Sequence, residues 1–144
     1  MPGIEGWGGR KNSVGEITPP AKFKGVSLES LCNLVGGVAS SQGVRVVAKD
    51  GYAITFSYDQ LTKSDFVTYD PATGDEIPHG KLKVILAYEM NGKPISENEE
   101  GILRIAVVDS KDQVTDGHWW VKWVNAIEVK TLVTEWTLKL KGAI

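Results

Sequence analysis

In the stretch "VRVVAKDGYAITFSYDQL", apolar side chains recur largely at every second position on either side of Asp50-Gly51. Extended backbone turns successive side chains to opposite faces, so such a run buries one face of a sheet, and Asp-Gly supplies the positive φ values of a tight turn. The spacing predicts a hairpin about Asp50-Gly51. By the same reasoning "KLKVILAYEMNGKPI" is a strand ended by an Asn91-Gly92 turn. "GILRIAVVDS" and "VKWVNAIEVKTL" are strands joined by the polar loop "DSKDQVTDGHW", and "DFVTYDPATGDEIPHG" is an edge strand with a long polar loop. "TEWTLKLKG" closes the chain in alternation, with Trp136, Leu138 and Leu140 on one face as a candidate edge for a protein partner.

One segment has helical spacing instead. Ser27 is a good N-cap, Leu28, Leu31, Leu34 and Val35 recur on one side, and Gly36-Gly37 is a stop signal. Residues 1–22 are rich in Gly, Pro and polar side chains, which predicts an irregular segment. The expectation is an α+β, mostly β fold with one or two short helices, in one domain over residues 1–144.

Composition removes several function classes. A net charge of -2 lacks the basic excess of a nucleic-acid binder, so no nucleic-acid partner is expected. No apolar run approaches the ~20 residues of a membrane span. The single cysteine, Cys32, stands between apolar residues of the predicted helix, where a thiol acts as a small hydrophobe rather than a nucleophile. No Cys/His cluster has zinc-ligand spacing, and no Gly-x-Ser-x-Gly is present. The residues alone therefore predict no cofactor and no metal.

Three of the five tryptophans fall in "GHWWVKWVNAIEV". Read as one extended strand, Trp119, Val121, Trp123, Ile127 and Val129 form the core face, and Trp120 with Lys122 turn to solvent, a cleft or a second sheet. His118 stands at the mouth of the preceding loop. Lys122 beside an indole suits an oxyanion with water excluded, or is a surface cation whose stem covers an aromatic. His79 is read as an exposed histidine.

Three blocks together resemble the oxidoreductase molybdopterin-binding domain, the catalytic-domain fold of sulfite oxidase and its bacterial relatives. They are "FKGVSLESLCNLVGG" (residues 23–37), "LAYEMNGKPIS" (86–96) and "GILRIAVVDS" with "GHWWVKWVNAIEV" (101–129). Asp50-Gly51-Tyr52, Ala87 to Gly92, Arg104 and Val121-Lys122-Trp123 follow the family's order and spacing. The resemblance implies a molybdenum cofactor held by a cysteine thiolate and by basic and polar residues around the pterin and its phosphate. Carried over by position, Lys122 is the pterin-side lysine, Arg104 belongs to the positive wall, and Arg10 and Lys11 keep the cationic character of "GWGGRK". The same alignment puts Gly6 where the thiolate ligand stands, and Asp109, Asp112 and Asp116 close to the phosphate's place. Three readings follow: a non-catalytic binding or scaffolding module with a protein partner; a binder of a small aromatic, pterin-like anion at Trp120, Lys122 and His118; and a molybdopterin-dependent oxidoreductase. The resemblance also admits an extracytoplasmic setting, with a leader absent from this chain.

Overall fold

The computed structural model describes residues 3–96, 101–109 and 113–131. Its strands are β1 (Ile4–Lys11), β2 (Ile17–Ser27), β3 (Gln42–Ala48), β4 (Ala53–Ser57), β5 (Thr68–Tyr69), β6 (Glu76–Ile77), β7 (Lys83–Met90), β8 (Lys93–Pro94), β9 (Arg104–Val108), β10 (Val114–Asp116) and β11 (Val124–Thr131). Two short helices interrupt them, α1 (Leu28–Asn33) and α2 (Tyr58–Lys63), and a 3₁₀ turn covers Gly117–Trp119. The fold is α+β and mostly β, as the alternation predicts.

The larger sheet runs β6-β5-β10-β1-β2-β7-β8, with β9 also paired to β7. It curls back on itself, because Trp7 and Asp109 exchange backbone hydrogen bonds of 3.0 and 2.8 Å and so join the end of β9 to β1. All five residues of β9 are buried as a result. The smaller sheet is β11-β3-β4, with Val44, Val46 and Phe56 fully buried in the common core.

Residues 4–11 and 17–22 are not irregular: β1 and the start of β2 lie in the interior of the larger sheet. The glycines that suggest disorder instead permit close approach. A Cβ on Gly8 would lie 2.6 Å from both the Trp120 ring and the Val107 carbonyl, and one on Gly6 would lie 2.8 Å from Val108 Cγ2. Between Gly8↔Ala21 and Arg10↔Thr18, one residue of β1 faces two of β2, Pro19 and Pro20. A bulge of this kind accommodates prolines, which have no N–H for the ladder.

The Asp50-Gly51 hairpin forms as expected, with β3 and β4 antiparallel and Gly51 at φ +94. So does the Asn91-Gly92 turn, where both residues have positive φ. In α1 the Ser27 hydroxyl accepts from Ser30 N, and Leu28 and Cys32 are buried. Leu34 and Val35 lie beyond the last turn and are exposed, since the backbone leaves the helix at Leu34. Alternation does not continue through Leu61: Ser57 and Gln60 form a capping box that starts α2. The loop before His118 carries β10, and β5 is an inner strand with β6 outside it. The extended reading of residues 118–123 also fails. The 3₁₀ turn and Trp123, at φ +48, break the alternation, so that Trp120 and Val121 are both buried and the strand begins at Val124. Trp119, Ile127 and Val129 are partly buried against the core. Trp136, Leu138 and Leu140 lie outside the described residues, as do Glu97, Glu99, Glu100 and Asp112.

Candidate functional site

Parallel pairing of β1 with β10, Arg10 opposite Thr115, brings the "GRK" end of β1 beside the loop that carries His118, Trp120 and Lys122. The result is a cavity of about 620 Å³, lined by residues including Arg10, Lys11, Asp116, His118, Trp120 and Lys122. Four of the five residues singled out from the sequence thus meet in one place. The fifth, Arg104, lies directly behind it.

Trp120 organises the cations. Its Nε1 donates to Thr115 Oγ1 at 2.8 Å, and its ring packs edge to face with Phe23 at 5.4 Å between centroids. The guanidinium carbons of Arg10 and Arg104 lie 5.7 and 5.3 Å from the indole centroid, within the range of cation–π attraction. The indole is therefore a support for two arginines, 4% exposed, rather than an open stacking platform.

Arg104 is fully buried on β9. It donates through Nε to the Ile105 carbonyl at 3.2 Å and through Nη2 to the Trp120 carbonyl at 3.3 Å. Burial, reinforced by Arg10, pushes its pKa down to about 9. Burial also lowers Arg10, and it lowers Lys122, which feels Arg104 and Arg10 in addition. Desolvation and a like charge both disfavour the charged form. The three groups thus form one positive cluster whose members repel each other across a partly dry interior. An anion placed among them recovers the interaction that burial has withdrawn.

Lys11 reaches the same cavity, donating from Nζ to the Gly74 carbonyl at 3.0 Å and lying 4.2 Å from the Tyr69 ring centroid. The Tyr69 hydroxyl donates to Asp116 Oδ1 at 3.1 Å, and burial with this carboxylate raises the phenol's pKa. Asp116, expected near the site, is on its wall. Asp109 is instead bound by Gln113 Nε2 at 2.8 Å and bridges to β1. His118 is exposed, its ring 4.1 Å from that of Trp119 and its carbonyl accepting from the Tyr52 hydroxyl at 3.1 Å. Tyr69 carried no clear signal in sequence, since it enters through a two-residue strand whose partner, β10, is itself short.

The family model for the oxidoreductase molybdopterin binding domain matches residues 9–137. The chain belongs to this family. No curated protein matches it. The match begins beyond Gly6, the position expected from the resemblance to replace the thiolate ligand.

The two ends of the family's cofactor fare differently against these residues. The metal end does not fit. Gly6 offers no donor, and a side chain there meets Val108 at van der Waals overlap. Cys32, the chain's one cysteine, is buried in α1, where burial and Glu29 raise its pKa and disfavour the thiolate. Among the described residues no group of three His, Cys, Asp or Glu side chains is placed to hold a metal ion. The anionic end does fit, because Arg10, Lys122 and the field of Arg104 supply positive charge beside an open cavity. Among the described residues no helix is long and apolar enough to cross a membrane.

Proposed function

We propose that this family member is a non-catalytic binding module that takes a small aromatic anion, a pterin-like molecule with a phosphate or carboxylate, without molybdenum redox chemistry. The observation that carries this reading is the cluster of Arg10, Arg104 and Lys122, each held below its ordinary pKa by burial and, for Arg104 and Lys122, by its neighbours. Arg10 and Lys122 both line the cavity, and an anionic ligand there is attracted by the two together. Arg10 and Lys122 meet the anion directly. Arg104 acts from behind through its charge, and Trp120 keeps both guanidinium groups in place. His118 and Asp116 border the opening, where they select among heterocycles by their hydrogen-bonding edges.

Oxidoreductase chemistry needs a metal donor that Gly6 and Cys32 do not supply. The scaffolding reading has one observation in its favour, the adjacent exposed side chains of Leu34 and Val35, 72% and 77% accessible.

The test uses protein purified from a host that makes the molybdenum cofactor, with elemental analysis for molybdenum, fluorescence of the oxidised pterin, and tryptophan quenching on titration with a phosphate-bearing pterin. Quenching is expected in the parent, and Lys122→Ala and Arg10→Ala each weaken it by roughly tenfold, as expected for one charge-assisted hydrogen bond. Stoichiometric molybdenum overturns the non-catalytic reading. Equal affinity in both variants overturns the site.

A further inference from the structure

A second group of cations shares no residue with the first. The end of α2 and residues 79–83, which lead into β7, enclose a cleft of about 610 Å³ with Glu29 of α1 on its rim. Lys63, Lys81, Lys83 and His79 line it, against that single carboxylate. Lys81 and Lys83 are exposed while Leu82 between them is buried. Lys81 lies in a bend and Lys83 opens β7, and with Leu82 buried between them both side chains line the cleft.

The cleft's two walls are tied together. Ser64 ends α2 in the left-handed conformation, at φ 57, and its hydroxyl donates to the Leu82 carbonyl at 2.8 Å. That bond sets Lys63, one residue earlier, across from the Lys81 and Lys83 pair. Lys63 has Asp59 at 3.5 Å. Lys81 and Lys83 have no carboxylate within ion-pair distance among the described residues. The chain as a whole carries a net charge of -2, so this edge is positive against the sign of the molecule.

We infer that this cleft docks an extended acidic segment of a partner protein, with carboxylates at alternate positions. In an extended peptide Glu-Xaa-Glu presents two carboxylates on one face, which meet the ammonium groups of Lys81 and Lys83 on one wall of the cleft, and a third reaches Lys63 on the other. The cleft is several times the size of a phosphate-sized ion, which favours a chain segment over a free anion. On a molecule of net charge -2, a local group of cations draws an acidic partner to this edge and orients the encounter.

The probe is the peptide acetyl-Ser-Glu-Ser-Glu-Ser-Glu-Ser-amide, titrated at low ionic strength into the full ¹⁵N-labelled chain, with inorganic phosphate in a parallel titration. Amide shifts are expected at Lys63, Lys81 and Lys83, fading as salt is added. The double variant Lys81→Glu/Lys83→Glu weakens the peptide by roughly tenfold or more, and Lys81→Gln/Lys83→Gln weakens it less, with unchanged melting temperatures. Lys122→Ala leaves peptide binding as in the parent, which separates this site from the anion cavity. Equal affinity in the double variants overturns the inference. So do shifts confined to Arg10, Lys11 and residues 116–122, or phosphate reproducing the peptide's shifts at matched charge concentration.

Discussion

Arg10, Arg104 and Lys122 are gathered around an indole at and below the surface, whereas Lys63, Lys81 and Lys83 stand in water around an open cleft. The formal charges are alike and their consequences differ. In the first group burial withdraws solvation, and it depresses the pKa of every member. In the second, water and salt screen each charge, so the cations sit together without straining the fold. Burial therefore shifts the proton equilibria of the first group, and exposure leaves the second open to solvent.

The comparison breaks most visibly at Trp120, which has no counterpart in the exposed cleft. Trp120→Ala removes a buried aromatic and the support for two guanidinium groups, and is expected to lower stability by about 3–5 kcal/mol in urea denaturation. Gly8→Ala pushes a methyl group into the same indole and the Val107 carbonyl, and is expected to cost about 1–3 kcal/mol, read in the same way. A value near zero would mean that β1 does not need bare backbone there.

The pH dependence sharpens the contrast. Arg104 has a folded pKa of about 9, below its unfolded value. Between the two the unfolded chain binds more protons, so stability rises with pH in that window. The penalty of the buried charge is present in full below about 9 and is relieved as pH climbs through it. Parent protein is accordingly expected to gain stability relative to Arg104→Met as pH is raised through that value, by comparison of urea midpoints. The smallest effect belongs to the exposed group: Lys81→Glu/Lys83→Glu changes stability by less than about 0.5 kcal/mol, a thermal-melt measurement.

What the sequence made legible was local. The Asp50-Gly51 hairpin and the Ser27 cap are fixed by residues within a few positions of each other, so short patterns suffice. The capping box of Ser57 and Gln60 was equally local, but the alternation leading up to it masked it. β1 was not legible, because its glycines have meaning only beside Val107, Val108 and Trp120, roughly a hundred positions along the chain. The site divides in the same way. Arg10, Arg104, His118, Trp120 and Lys122 were reachable from residue type and resemblance. The burial of Trp120 was not, since it depends on a left-handed Trp123 that no alternating pattern announces. Lys11 and Tyr69 meet only through the crossing of β1, β10 and β5.

The parallel pairing of Arg10 with Thr115 has a bearing on how the protein is made. β2 can seek β7 while the chain is still emerging, but the partner that flanks β1 on its other side arrives more than a hundred residues after β1 itself. Contacts so distant in sequence form slowly, since a long loop must close before they repay its entropy. The cation cavity is thus among the last features to assemble during synthesis, and a nascent chain paused before Val114 leaves the Arg10–Lys11 end of β1 unpaired on that side and open to other strands.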